Sequence, residues 1–240
     1  MIHFKQIDST NKWAKEQVNE LSAGRPLWAL TWIVADKQSG GYGRRGNQWL
    51  SPTGNLYATV FFCIPMEERD KLSSFAQLLV LCCAQLLDRE GVHLQIKWPN
   101  DLFFEGKKCG GVLTESVELQ DRLGVIIGIG LNVNQSIVAD QPSTTLAEIA
   151  GRTFDLRELL QKIAEKFELE YTKDLSNLSA RIEPRLAFKG ERIVARDGSG
   201  KKLEGLCEGL TADGKLLIRL KDGQLRAFSC GEIEKIRNYD

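Results

Sequence analysis

Between Lys37 and Trp49 the chain carries four glycines and three cations, Lys37, Arg44 and Arg45, with no acidic residue among them. Glycines let main-chain N–H groups come close to phosphate or carboxylate oxygens, and an arginine fork can pair with such a group through two bonds. The chemistry on offer is anion binding. The stretch is not a Walker A loop, since no Gly-Lys-Ser/Thr closes it, and it is not a dinucleotide fingerprint. A flexible solvated loop has the same composition, so this segment alone leaves anion binding open. A second unusual block is Lys97-Trp98-Pro99-Asn100-Asp101-Leu102, where a proline flanked by lysine, asparagine and aspartate interrupts a strand-like run. Asn100 and Asp101 serve equally well as turn residues bonding local backbone. Lys108, followed by Gly110 and Gly111, adds another cation one short hairpin further on.

These groups need elements to position them. Asp8-Ser9-Thr10-Asn11 supplies small polar capping residues ahead of an amphipathic helix ending near Ala23-Gly24. A β-like run over residues 28–35 leads into the glycine-rich loop. Residues 55–64 and 94–98 read as strands, residues 72–90 as a buried helix, and residues 103–108 as a hairpin turn. Two long strands over residues 110–117 and 123–134 complete a mixed sheet. An extended crossing around residues 142–146 and a helix over residues 155–172 follow. After Pro184, Asp-Gly turns at Asp197-Gly198, Asp213-Gly214 and Asp222-Gly223 punctuate short apolar runs at hairpin spacing. That texture predicts a small all-β barrel beginning near Phe188. The expected class is α+β, with a main domain over residues 1–184 and a small barrel over 185–240.

At 240 residues, 42% hydrophobic and 27% charged, the chain is long enough for one large core and a small satellite. Lys+Arg and Asp+Glu both number 32, so no global field favours nucleic acid or an anionic membrane. Six cysteines without a CxxC pair, and only two histidines, build no zinc constellation, so no structural metal is expected. No signal peptide precedes Met1, and the apolar tract from Phe75 to Leu87 is too short to span a bilayer. Free thiols in a reducing cytoplasm are the expectation.

Taken in order, six blocks carry a resemblance. They are Asp8 to Asn11, Gln38 to Gly46, Trp49-Leu50-Ser51-Pro52, Lys97 to Leu102, Lys108-Cys109-Gly110-Gly111-Val112-Leu113, and Gly128-Ile129-Gly130-Leu131-Asn132-Val133-Asn134. Together they resemble the biotin–protein ligase family, in its short form without an N-terminal DNA-binding domain. The family's loop usually reads Gly-Arg-Gly-Arg-Arg-Gly; here Tyr42 takes the place of the first arginine while Arg44 is retained. The resemblance implies a class II synthetase-like biotin/lipoate ligase sheet followed by an SH3-like barrel.

The activity it implies is ATP-dependent formation of biotinyl-adenylate with release of pyrophosphate. Transfer of biotin to one lysine of a biotin carboxyl carrier domain follows. Repressor function is not expected. Forcing two anions together makes electrostatic stabilisation and positioning dominant, so cations from separate loops are needed. Arg44, Lys97 and Lys108 are the catalytic candidates. Ser9, Thr10, Asn11, Gln38, Gly41, Arg44, Gly110, Gly111 and Gly128 match the family's biotin-binding positions. Ser9 and Thr10 also suit plain N-capping, and the two roles are compatible. Arg44, Arg45, Trp49, Lys108 and Asn132 match the ATP and adenylate end, although a tryptophan beside a turn usually buries its ring for packing. Magnesium accompanies ATP, with its ligands unassigned. The glycine-rich loop is expected to order on binding biotin or its adenylate.

The partners implied are biotin, ATP and the carrier domain of a biotin-dependent carboxylase, with no DNA and no membrane, in a monomer or homodimer. A lipoate–protein ligase shares the chemistry and is the nearest alternative. A nucleic-acid-binding regulator, suggested by Arg44-Arg45 and Lys201-Lys202, and a non-catalytic biotin-binding module are the others.

Overall fold

Seven strands, β1 (Ile2–Phe4), β2 (Thr31–Ala35), β3 (Leu56–Ile64), β4 (Gln95–Lys97), β5 (Asp101–Phe104), β6 (Lys107–Glu118) and β7 (Leu123–Leu131), form one sheet in the computed structural model. Their order is β1-β2-β3-β7-β6-β5-β4. The β1–β2 pair is parallel and the remaining pairs are antiparallel, so the sheet is mixed as expected. The helices are α1 (Thr10–Ser22), α2 (Leu72–Asp88), α3 (Leu146–Ala150), α4 (Leu156–Glu168) and α5 (Leu178–Ile182). The structure describes residues 1–22, 24–138, 141–196, 200–229 and 231–235. The turn expected at Asp197-Gly198-Ser199, the helix end at Ala23, and Cys230 lie outside them.

Strand alternation divides the sheet's two faces. Leu56, Ala58, Val60, Phe62 and Ile64 of β3 enter the main core with α2 and α4, as do Leu123, Val125, Ile127, Ile129 and Leu131 of β7. The intervening Phe61 and Ile126 pack on the opposite face with Ala14 and Val18 of α1. Helix α1 covers only part of that face. At its N-terminus the same alternation sets Thr59 and Gly128 under Asn11 and Gly130 under the Trp49 ring, and a cavity opens beside them.

Helix α2 and the short 3-10 turn before it run from Met66 to Asp88, 23 residues, longer than the apolar tract in the sequence. By length and composition this passes for a membrane span. Two thirds of its most apolar 18-residue window is buried inside the protein, however, so its apolar surface serves the core. The strand expected over 28–35 begins only at Thr31, because Trp28 adopts a left-handed φ of 67° and turns its ring onto Phe62, Phe75 and Tyr171.

The last five strands, β8 (Arg192–Arg196), β9 (Lys202–Leu210), β10 (Leu216–Arg219), β11 (Leu225–Phe228) and β12 (Glu232–Lys235), pair in the order β11-β10-β9-β8-β12. This corrects the expected SH3-like barrel: the sheet is open, and among the described residues no ladder joins β11 to β12. The edge strands are only four residues long, and the apolar face is covered from outside. Trp98 and Leu186 complete the cluster of Ile193, Ala195, Cys207, Leu216, Ile218 and Ile233. A sheet whose core is closed by a neighbour need not curl onto itself.

Candidate active site

A cavity of about 530 Å³ lies against the sheet, between the N-terminus of α1, the glycine-rich loop and the start of β5. A larger, more open groove of about 700 Å³ lies behind the wall formed by Gln38 and Trp49. Arg44, Lys97 and Lys108 line the smaller cavity and not the groove, so the candidate chemistry belongs to the former.

One end of the cavity is neutral and polar. Thr10 donates to Gln38 Oε1 through its backbone N at 2.8 Å and its hydroxyl at 3.1 Å, which satisfies an orphan N–H of the first helical turn. Gln38 Nε2 donates to Ser51 Oγ at 3.1 Å, and Ser51 donates to the Trp49 carbonyl at 2.9 Å. Thr59, wholly buried, offers one proton to Thr10 Oγ1 at 2.8 Å and Asn11 Oδ1 at 2.7 Å. Asn11 Nδ2 donates to Glu115 Oε2 at 3.1 Å. Ser9 is a cap as well as a wall, since its hydroxyl accepts from Lys12 N at 3.4 Å.

The other end is cationic. Lys108 Nζ sits 2.8 Å from Asp101 Oδ1 and 5.3 Å from the Trp49 ring centroid. Arg44 leaves a one-turn 3-10 segment, Arg44–Gly46, and donates to the Gly231 carbonyl at 2.9 Å and to Asn100 Oδ1 at 3.4 Å. Asn100 in turn donates to the Val112 carbonyl, which fixes its orientation. Lys97 lies 4.9 Å above the Phe103 ring. Two strand glycines make room for site side chains. A Cβ at Gly128 would stand 2.1 Å from Asn11 Oδ1, and one at Gly111 would stand 2.8 Å from Asp101 Oδ1 and 3.3 Å from Lys108 Cε.

Among the sequence candidates, Ser9, Thr10, Asn11, Gln38, Arg44, Trp49, Lys97, Lys108, Gly111 and Gly128 line this cavity. Gly41 faces the open groove, Arg45 is exposed with a left-handed φ of 57°, and Gly110 lies against Leu131. Asn132 is buried behind Lys108: it donates to the carbonyls of Thr144 at 3.3 Å and Lys108 at 3.5 Å, and its Oδ1 has no protein partner. Sequence reasoning missed Thr59 and Glu115. The available signals were a threonine inside the apolar run of β3 and a glutamate in mid-strand on β6.

Burial opposes charge on Glu115, but hydrogen bonds from Tyr42, Lys15 and Asn11 outweigh it and hold the carboxyl below its ordinary value. Burial, then the bond to Glu115, pushes the Tyr42 phenol well above its own. The pair therefore stays as a neutral donor and an ionised acceptor around neutrality.

Residues 3–132 match the biotin/lipoate A/B protein ligase family, and residues 189–235 match the biotin protein ligase C-terminal domain. The bifunctional ligase/repressor BirA of Bacillus subtilis is 31% identical over 95% of this chain and 72% of its own length. The biotin–[acetyl-CoA-carboxylase] ligase of Paracoccus denitrificans is 30% identical over 89% of this chain and 92% of its own. A biotin protein ligase from Aquifex aeolicus, solved with biotin and ATP, superposes with a TM-score of 0.78 at 31% identity, covering 99% of this chain and 98% of that one. The chain belongs to the biotin/lipoate A/B protein ligase family. Within it, the C-terminal match and these relatives identify a biotin protein ligase.

Proposed function

We propose that this cavity joins biotin to ATP and then passes the biotinyl group to a carrier lysine. The observation that carries this is one cavity with two unlike ends, a strip of neutral hydrogen-bonding groups at one and the cations Arg44, Lys97 and Lys108 at the other. A ureido ring needs donors and acceptors held within apolar walls, which Ser9, Thr10, Asn11 and Gln38 supply. The carboxylate of such a ligand then points toward the cations.

In the first step a biotin carboxylate oxygen attacks the α-phosphorus of ATP, and the bond to the leaving pyrophosphate breaks. Lys108 stands against both anions as a compact charge, while Arg44 holds the intermediate through its planar fork. Asp101 keeps Lys108 in place until a substrate anion competes for it. Asn132 lies buried behind Lys108, its amide donating to the Lys108 carbonyl, so its part at the adenine side is to hold the backbone that carries Lys108. In the second step the amine of the acceptor lysine attacks the acyl carbon, loses a proton, and AMP departs.

Magnesium is the usual companion of ATP phosphates. Asp101, the carboxylate nearest Lys108, already has one oxygen on that lysine, and among the described residues no cluster of three or more metal-ligating side chains is present. The donor set of the described residues does not fit a dedicated metal site.

A biotin carboxyl carrier domain is the proposed acceptor, and division into residues 1–184 and 185–240 is part of the same proposal. A reducing cytoplasm is the proposed setting; the buried thiols Cys82, Cys83, Cys109 and Cys207, none in a disulfide, support it. The test is pyrophosphate release from ATP and magnesium with biotin or with lipoate, in the absence of acceptor. Release with biotin alone is expected. Release with lipoate alone would move the chain to the sister activity, and silence with both would leave only binding.

A further inference from the structure

Tyr42 occupies the position where the family's loop carries its first arginine. Its hydroxyl donates to Glu115 Oε2 at 2.7 Å. The same oxygen accepts from Asn11 Nδ2 at 3.1 Å, and the other accepts from Lys15 Nζ at 3.0 Å. The Glu115 side chain is only 19% exposed. One carboxylate thus ties together three separate segments: the glycine-rich loop, the first turns of α1, and β6.

The tie falls at the base of the loop. Tyr42 forms an antiparallel bridge with Gln48, Gly43 N donates to the Asn47 carbonyl at 2.8 Å, and Trp49 N donates to the Gly41 carbonyl at 2.9 Å. Residues 41–49 are therefore a small hairpin lobe with Arg44 and Arg45 at its tip. A lobe hinged at its base moves as a unit, so fixing Tyr42 fixes where Arg44 points. Because Asn11 shares the Glu115 oxygen, the same contact also sets the neutral end of the cavity.

We infer that Tyr42 is a positioning residue: through Glu115 it docks the glycine-rich lobe against the biotin end of the cavity before any ligand binds. This rests on the proposed function for its catalytic readout, and it departs from the expectation of a loop that orders only on ligation.

The experiment uses the full chain and the variants Tyr42→Phe, Glu115→Gln and the double variant, which preserve side-chain size. Trypsin cuts after Arg44 and Arg45, so nicking of the ligand-free protein reports the docking directly. Tyr42→Phe is expected to be nicked about tenfold faster and to raise the KM for biotin about tenfold, equivalent to ~1.4 kcal/mol. Because Arg44 rides on the same lobe, kcat for pyrophosphate release should fall as well, by no more than the rise in KM. In the Glu115→Gln background the Tyr42→Phe effect should shrink at least about threefold, as contacting residues couple. Unchanged nicking and biotin KM in Tyr42→Phe, or fully additive effects in the double variant, would overturn the inference. An unsubstituted chain that is tryptically resistant but releases no pyrophosphate with biotin would instead sink the functional reading and leave the docking standing.

Discussion

Thr59→Val is the cleanest perturbation of the neutral end, because it keeps the volume and β-branching of a fully buried strand residue and removes one hydroxyl. That hydroxyl is 2.7 Å from Asn11 Oδ1 and 2.8 Å from Thr10 Oγ1. Thr10 passes its own proton to Gln38, so valine removes the one proton that Thr10 Oγ1 and Asn11 Oδ1 share. A buried acceptor left unsatisfied costs about 1–3 kcal/mol. Part of this falls on the folded state, lowering the thermal midpoint by a few degrees, on the order of 2–4 °C per kcal/mol for a chain of this size. The rest falls on biotin: Asn11 and Thr10 lose their fixed orientation, and the KM for biotin should rise about fivefold or more, 1.4 kcal/mol being tenfold. Thr59 does not touch Lys108 or Arg44, so kcat should hold. Pyrophosphate-release kinetics over a range of biotin concentrations, with calorimetry on the same samples, give all three quantities. If both the midpoint and the KM are unaltered, the polar strip is not a mechanical unit and the assignment of the biotin end is wrong.

Lys108→Ala should lower adenylation by at least about a hundredfold, the scale for loss of a charge aimed at a reacting anion; full activity in a pyrophosphate assay would remove Lys108 from the reaction. Trp98→Phe removes the indole N–H that donates to the Gly214 carbonyl at 2.9 Å, but Gln77 still donates to that oxygen at 3.0 Å, so denaturant melts should show a loss of only about 0.5–1.5 kcal/mol. Trp98→Ala, which also opens a cavity, should cost about 3–5 kcal/mol, and equal losses in the two variants would count against the shared carbonyl. For acid, the sign follows from depressed carboxyls: Glu115 and Asp88 are both held below their ordinary values, against the cost of burial, by partners that include Lys15 and Arg185. Their contribution is complete above about pH 4.3, the ordinary glutamate value, and is lost as pH falls through the depressed values. Thermal midpoints measured from pH 6 to 3 should therefore drop only below that point, and a midpoint that rose toward pH 3 would contradict both assignments.

The main sheet was legible because alternation and turn chemistry are local. The expected strand over 55–64, the buried helix over 72–90 and the hairpin at 103–108 all lie within two or three residues of the observed elements. Arg44, Lys97 and Lys108 were legible as chemistry because cations beside glycine or proline are conspicuous in any sequence. Thr59 and Glu115 were not, since their importance depends on which strand lies beside which. Thr59 pairs with Gly128, and Gly128 matters because Asn11 reaches over it from a helix 117 positions earlier in the chain. The barrel failed for a related reason. Short apolar runs between Asp-Gly turns specify hairpins, but whether the last strand meets the fourth depends on what covers their shared face, and here that is Trp98 from the other sheet.

That last contact ties the architecture to the chemistry. Trp98 belongs to the same six-residue block as Lys97, Asn100 and Asp101, so one side of this block lines the cavity while its indole is buried among the C-terminal strands. The turn between β9 and β10 is held by Trp98 and Gln77 on the Gly214 carbonyl, and Ser179 donates to the carbonyl two residues back, that of Ala212, at 3.2 Å. With the sheet fixed there, its Gly231 carbonyl stands where Arg44 can donate to it. Arg44 is thus steadied from two directions, by the lobe that bears it and by a sheet nearly two hundred residues away. Displacement of either support would misdirect the guanidinium. An open sheet suits this arrangement: a closed barrel would bury its own apolar face and have no need of Trp98, and the coupling between docking and catalysis would be lost.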